Sequence, residues 1–471
     1  MFIKIDKLSD MTMTRQIYSV IKDSILRGDF VGNQKLPSTR VLSLELDVSR
    51  IVAVDAYEQL LAEGYVYSIE GAGTYVNEGV LLESEYIPNS EMPDTRQLLY
   101  EEEQNHYNFR TGVPDLRYVP IEDWTKLYKQ TVRTLDFGMF DYHNPMGYYP
   151  LRNAIVDYAK RWRGIQADSR QIVIINGAAQ GFSLLRAFVE KESYILIENP
   201  VSTGIITTLN QFGAQIKSIN VDENGMITSE LPEQAPRLIF TTPSHQFPTG
   251  GVMPVNRRIE LIGYAKRHDC YIVEDDYDSE FRYEGEPIQA LQGLEPSRVI
   301  YLGTFSKTLC PAIRLGFMIV PRELIKTIEE VKYNSDIHTS LFEQATMASF
   351  ISQGYYEKHI RKMKKLYDGK RRMIIQEIQK HFGNKIVITG HKSGLHLILD
   401  FSEVIDRYDL KKAMKSACVN MQFLDAYCFP RETCIGEVKL VMGFGNVTES
   451  QIVDGLEKLS DEIKRYKTGE A

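Results

Sequence analysis

The sequence predicts a chain in two parts: a small helical head carrying a β-hairpin, then a large α/β body on a mostly parallel sheet with helices on both faces. Three observations lead there. The first eighty residues hold three short amphipathic stretches and two strand-like runs around Glu70-Gly-Ala-Gly73. A polar, acidic stretch over 78–106, with Pro88, Pro93 and Glu101-Glu-Glu103, has the composition of a linker. From residue 107 onward, short apolar runs alternate with helical periodicity, as strand–helix–strand units do. The expected division is a head at 1–77, a linker at 78–106 and a body at 107–471, with a smaller α+β part at its C-terminal end. A length of 471 residues agrees, since one hydrophobic core rarely organises so many.

Composition excludes several classes. Hydrophobic residues are 43% and charged residues 25%, enough for a sizeable core in an ordinary globular protein. The net charge of −8 gives no global attraction to nucleic acid or an anionic membrane. No apolar run approaches the length of a membrane span. The opening Met1-Phe-Ile-Lys-Ile-Asp-Lys-Leu-Ser-Asp10 lacks the apolar stretch of a secretory signal. The five cysteines show no paired spacing, so reduced thiols in the cytoplasm and no metal site are expected.

In the head, residues 12–27 set Ile17, Val20, Ile21 and Ile25 on one helical face. Gly28-Asp-Phe-Val-Gly-Asn33 breaks that helix. Ser38 caps a second helix bearing Leu42 and Leu46. Ser49 caps a third, with Val52, Ala56, Leu60 and Leu61 inside and Gly64 at its end. Runs at 65–69 and 74–76 then form a hairpin. Three helices and a hairpin make a winged helix-turn-helix. Leu36-Pro-Ser-Thr-Arg40, Val48-Ser-Arg50 and Ala56-Tyr-Glu-Gln-Leu-Leu-Ala-Glu-Gly64 closely resemble the GntR class of bacterial DNA-binding domains. The resemblance implies that the third helix enters the major groove. Arg50, beside Ser49, would then reach a base edge; an arginine fork suits guanine. Ser38 and Arg40 would hold phosphates, and the wing at Gly71 and Gly73 would touch the backbone or minor groove.

The head's charge opposes this. Residues 1–79 hold 8 Lys/Arg against 11 Asp/Glu, a net −3, and only Arg27, Lys35, Arg40 and Arg50 are clustered to meet phosphates. Weak nonspecific affinity, and reliance on two heads binding together, is expected. The competing reading is a winged helix that contacts protein.

The body's strands are expected at 172–175, 194–197, 237–241, 270–274, 299–302 and 315–320. Ligands of such sheets gather beyond the strands' carboxyl ends. Tyr301-Leu-Gly-Thr-Phe-Ser-Lys-Thr-Leu-Cys-Pro-Ala-Ile-Arg314 follows one strand. A lysine there, Lys307, can form a Schiff base with an aldehyde cofactor. Ser306 and Arg314 can hold that cofactor's phosphate. The competing reading is a solvated Ser-Lys pair and a surface arginine. A second strand ends in Cys270-Tyr-Ile-Val-Glu-Asp-Asp-Tyr277. Pyridoxal 5'-phosphate (PLP) needs a carboxylate at its pyridine nitrogen, and Asp275 is placed for that role, with Tyr277 available to the ring hydroxyl. Asn176-Gly-Ala-Ala-Gln180 opens a helix, where the amides of Ala178 and Ala179 can cradle phosphate.

Asp275, Tyr277, Lys307 and Arg314 resemble, in order and spacing, the fold-type I aminotransferases. The loop Thr241-Thr-Pro-Ser-His-Gln-Phe-Pro-Thr-Gly250 resembles the one beside their cofactor. In Asp141-Tyr-His-Asn-Pro-Met-Gly-Tyr-Tyr-Pro-Leu-Arg152, Tyr142 matches a tyrosine that reaches the partner subunit's cofactor phosphate, which implies a dimer with shared sites. Thr242-Pro-Ser-His-Gln-Phe-Pro248, Glu274-Asp-Asp-Tyr-Asp-Ser-Glu-Phe281 and Gly303-Thr-Phe-Ser-Lys307, with Thr304 at the site, are similar to the MocR/GabR group. These are GntR-type regulators with an aminotransferase-like body. The resemblance implies PLP as cofactor, promoter DNA and an amine or amino acid as partners, a head-to-tail homodimer, and a bacterial cytoplasmic regulator of transcription.

Three positions depart from the enzymes. Asn446 stands where an arginine would clamp a substrate carboxylate, although Arg431 is a possible substitute. Ser202 stands where a ring-stacking tyrosine is common, and Phe247 replaces an asparagine before Pro-Thr-Gly. Loss of a clamp argues against turnover. The preferred expectation is a regulator that reads PLP itself, as in the PdxR branch, or an amine or amino acid condensing with it. The alternatives are a working aminotransferase with an accessory DNA head, and a scaffold whose cofactor pocket stays empty.

Overall fold

A computed structural model describes residues 5–6, 9, 11–80, 107–190, 193–211, 213, 215–430 and 437–468. The chain divides into two compact units, residues 1–97 and 98–471. The expected linker falls largely outside the described residues, as does Arg431.

The first unit has helices α1 (Met13–Leu26), α2 (Thr39–Glu45) and α3 (Arg50–Ala62) and a hairpin of β1 (Val66–Ile69) and β2 (Gly73–Val76). Its core joins Ile17, Ile21 and Ile25 of α1 to Leu42 of α2 and Ala53, Ala56 and Leu60 of α3. The inner face of α3 is rotated from the expected one. Ala53, Ala56, Tyr57 and Leu60 are buried, whereas Val52 and Leu61 are only half-buried. Spacings of three, four and seven residues make one helical stripe, and the Tyr57 hydroxyl fixes it by donating to the Pro37 carbonyl at 2.8 Å. Ser38 caps α2 as expected, its hydroxyl accepting from Val41 N–H at 3.3 Å. Ser49 occupies the cap position of α3 but makes no side-chain capping bond.

The second unit is built on an eight-stranded sheet. After the short β3 (Tyr107–Asn108), its strands are β4 (Ile172–Ile175), β5 (Tyr194–Asn199), β6 (Gln215–Asp222), β7 (Gly225–Met226), β8 (Leu238–Thr241), β9 (Tyr271–Asp276), β10 (Val299–Thr304) and β11 (Gly316–Ile319). The order is β4-β11-β10-β9-β8-β5-β6-β7. The pairings from β10 across to β6 are parallel; β11 runs antiparallel to both neighbours and β7 antiparallel to β6. Ile172-Val-Ile-Ile175 is buried along its whole length, as a strand covered on both faces must be. The six expected strands are present; the half-exposed β6 has too few buried positions to register as an apolar run.

A smaller antiparallel sheet follows, made from β12 (Val387–Thr389), β13 (His396–Asp400), β15 (Gln422–Phe423) and β16 (Lys439–Gly443), in the order β12-β13-β16-β15. Between β13 and β15, β14 (Val419–Asn420) pairs in parallel with β3, so the body's first residues are stitched to its last subdomain. The long helix Tyr355–Phe382 leads into this subdomain, burying Met363, Tyr367, Ile374 and Ile378 in its core. No helix among the described residues is long and apolar enough to cross a membrane. Cys270, Cys310 and Cys418 are free, but Cys428 is disulfide-bonded, which corrects the expectation of reduced thiols throughout.

Candidate functional site

Two neighbouring strands carry the site. β9 and β10 are parallel and in register, Leu302 opposite Asp275 and Gly303 opposite Asp276. Asp275 and Tyr277 therefore emerge beside the turn that holds Ser306 and Lys307, at the carboxyl end of the sheet. They line a cavity of about 540 Å³, with Thr304, Arg314, Ala178 and Ala179 in the same wall. Eight of the nine residues expected at the cofactor are thus brought together. Tyr142, expected to reach the partner subunit's cofactor phosphate, is 76% exposed and lies outside this chain's own cavity. Ser202 and Phe247 line the cavity, but Asn446 does not. The Asn446 carboxamide instead accepts a hydrogen bond from Leu116 N–H at 3.3 Å. Asn446 therefore carries no information about a carboxylate clamp.

The lysine is held from an unexpected direction. Lys307 Nζ donates to the Gly112 carbonyl at 2.6 Å, from the segment that enters the body. Burial lowers its pKa, against the pull of Asp275 and Asp278. Burial raises Asp275 to about 7; Asp276 adds to the rise and Lys307 opposes it. An interior carboxyl with so little compensation suits a cationic pyridinium. Opposite, Arg314 adopts φ +50° and donates to the Asn176 carbonyl at 2.7 Å. Gly177 turns beneath it at φ +83°, where a Cβ would come within 2.8 Å of the guanidinium. Glycine at 177, the Ala178 and Ala179 positions, Ser306 and Arg314 form a cradle of the kind a phosphate occupies. The residues present therefore fit PLP at both its ring and its phosphate.

Behind Tyr277 lies a buried polar group that sequence reasoning missed. His245 Nδ1 is 2.9 Å from Asp278 Oδ1, and the Tyr277 hydroxyl is 3.0 Å from both that nitrogen and the His245 carbonyl. His396, its ring 4.8 Å from that of His245, pairs with the Pro248 carbonyl at 3.0 Å. Burial, then His245, keeps His396 well below the usual histidine range, so it is neutral. Gly394, at φ +75°, leaves the space that the His245–Asp278 pair fills. Glu198, also buried, accepts from Thr241 Oγ1 at 2.6 Å, Thr242 Oγ1 at 2.7 Å and Thr242 N–H at 3.0 Å, fixing the loop before His245. Burial raises its pKa. Asp278, three residues past Asp275, was visible in the acidic run; His396 and Tyr427 reach the cavity from far along the chain and carry no local signal.

On the first unit, Ser38, Arg40, Ser49 and Arg50 are exposed together at the starts of α2 and α3. Ile51 is 71% exposed beside Arg50, an apolar group available to a thymine methyl. Gly73 has a backbone reason: it adopts φ +121°, an angle that side chains rarely take.

Residues 13–76 match the gntR family of bacterial regulatory proteins, and residues 106–447 match aminotransferase class I and II. The chain is 31% identical to the probable rhizopine catabolism regulatory protein MocR of Rhizobium meliloti, over 97% of this chain and 94% of that one. This chain belongs to the MocR group of GntR-family transcriptional regulators. As a helix-turn-helix regulator of that group it binds DNA, and its body has the aminotransferase fold shared with PLP enzymes. The pyridoxine biosynthesis regulator PdxR of Corynebacterium glutamicum is 29% identical over 95% of each chain. Among solved structures, the kynurenine aminotransferase of Pyrococcus horikoshii, in complex with PMP, is similar with a TM-score of 0.71 and 25% identity, over 82% of this MocR-type chain and 97% of that chain.

Proposed function

We propose that this regulator carries PLP on Lys307 and adjusts its grip on promoter DNA according to the occupancy of that cavity, with PLP itself as the effector. One observation carries the choice: among the described residues lining the cavity, the lysines and arginines are Lys307 and Arg314 alone. Both would be committed to the cofactor, which leaves no further guanidinium among those described residues to orient an amino acid's carboxylate. Lys307 Nζ would leave Gly112 to take the cofactor's aldehyde carbon. Asp275 would hold the proton on the ring nitrogen, and Tyr277 would meet the ring hydroxyl. Arg314, Ser306 and the turn at Gly177 would bind the phosphate. When bound, the cofactor supplies an electron sink and a covalent reporter of occupancy. An effector moves the protein between two states only through unequal affinity for them.

Shared sites in a head-to-tail homodimer fit the same reading. Phe137, Tyr142 and Tyr149 are strongly exposed, Phe137 by 95%, and solvent is a poor resting place for such a group of aromatic rings. The test is a titration of DNA affinity against PLP and a panel of amines and amino acids, with cofactor absorbance followed in the same samples. Affinity that shifts with PLP alone supports the reading. Affinity indifferent to saturating PLP, but altered by an amino acid, reverses the choice of effector. The intact set of Asp275, Tyr277 and Lys307 also supports a second reading, an active aminotransferase with an accessory head; steady transamination at ordinary enzyme rates would favour it.

A further inference from the structure

Behind the phosphate cradle lies a lysine that the cofactor does not use. The side chain of Lys332, on the helix Ile325–Asp336, is wholly buried. A lysine is almost never taken out of water unless it is paired. Burial lowers its pKa, and Asp336 opposes that shift. Its Nζ donates to Asp336 Oδ1 at 2.5 Å and to Thr339 Oγ1 at 3.3 Å, and Thr339 Oγ1 in turn donates to the Ile174 carbonyl at 3.3 Å. The other oxygen of Asp336, Oδ2, accepts from Asn176 Nδ2 at 2.7 Å. Asn176 stands between β4 and the Gly177 turn, and its own carbonyl is the one that receives Arg314 at 2.7 Å. A buried ammonium is thus linked, through one carboxylate and one carboxamide, to both sides of the cradle.

The backbone is strained at the same place. Ile337 follows Asp336 with φ +62° and ψ −66°, and His338 N–H closes on the Asp336 carbonyl at 2.6 Å. This is a γ-turn of the rare, strained hand, and a β-branched side chain suits it poorly. Such strain persists where surrounding contacts hold it, and it collects at ligand clamps. A pair four residues apart that served only its helix would need neither burial nor the strained turn, since such pairs form on exposed faces. We propose that Asp336, backed by Lys332, is a positioning residue for the cofactor's phosphate: it fixes Asn176, so that the Gly177 turn and the Arg314 guanidinium stay aligned on that anion. The consequence is selection of phosphorylated over unphosphorylated vitamers. This rests on the reading that PLP occupies the cavity at Lys307.

The experiment titrates the full-length protein with PLP and, separately, with pyridoxal, following cofactor absorbance and recording a thermal melt of each variant. The two ligands share the aldehyde, the ring nitrogen and the ring hydroxyl, and differ by the phosphate. Asn176→Ala removes the amide that Asp336 holds and keeps the carbonyl that Arg314 uses. It should weaken PLP about tenfold or more, the range of a hydrogen bond to a charged group, while pyridoxal stays within about twofold. K332M/D336L removes both charges together, so neither is stranded, and should show the same selective loss. Should the double variant fail to fold, Asn176→Ala decides alone. An unchanged ratio of the two affinities, or an equal loss of both ligands, overturns the proposal and leaves the cofactor reading standing. If the parental protein takes up neither ligand, the cofactor reading falls and the proposal with it.

Discussion

Lys307 Nζ rests 2.6 Å from the carbonyl oxygen of Gly112, at a point where Gly112 has φ +80° and a Cβ would come within 3.1 Å of the amine. The lysine is thus held by the segment leading into the body, and under the proposed function PLP attachment would exchange that hydrogen bond for a covalent one. Lys307→Ala should abolish the cofactor's absorbance and any borohydride-stable label, with no change in circular dichroism. Mass spectrometry of the reduced protein checks the position; a label retained elsewhere would overturn the assignment.

Asp275 makes the cofactor-free protein sensitive to pH. Its carboxyl titrates near 3.8 when unperturbed and at about 7 in the fold. Through that window the folded chain keeps a proton that the unfolded chain has released, so stability falls as pH rises. Asp275→Asn should reduce the loss of melting temperature between pH 6 and 8 relative to the parent. Added PLP, through its ring cation, should reduce the parent's loss as well.

Gly394→Ala places a methyl group in the space occupied by the His245 imidazole and the Asp278 carboxylate, at a backbone angle that side chains tolerate poorly. Overpacking and strain together should cost about 3 kcal/mol in urea unfolding. Gly354→Ala, at φ +78° with open space around its Cβ, should cost about 1 kcal/mol, from strain alone.

Asp115 is buried and receives Lys370 Nζ at 2.7 Å and an Arg117 amine at 2.6 Å. Burial alone would raise its pKa, but these two cations hold it below the usual carboxylate value. Its contribution is present above pH ~4 and is lost as pH falls below that. Asp115→Ala strands the Lys370 ammonium in the interior, and should destabilise the body by about 3 kcal/mol in denaturant titration.

Arg50→Ala should weaken binding to the operator by about 1–3 kcal/mol, or roughly fivefold to 150-fold, if the guanidinium grips one base through two bonds. Affinity for mixed sequence should change little. Normal operator binding by this variant would move base recognition off the start of α3.

The carboxyl edge of the sheet was legible because its strands open on apolar runs and the polar groups follow directly: Asp275 lies at the end of one strand and Lys307 in the turn after the next. The inner face of α3 was harder to place, because Val52 and Leu61 satisfy the helical period almost as well as Ala53 and Tyr57. Gly112, His396 and Tyr427 were invisible to local pattern, since only the folded chain brings them to the cavity. Asn446 shows the opposite failure. A position matched by resemblance near the C-terminus points to Leu116 and away from the cavity.

The parallel pairing of Tyr107 with Val419 ties the first described residues of the body to the same subdomain that supplies Leu395, His396 and Tyr427 to the cavity wall. Any tilt of that subdomain over a filled chamber drags the anchorage with it. The body's opening strand is thus a passenger of the subdomain that walls the cavity and no part of the large sheet.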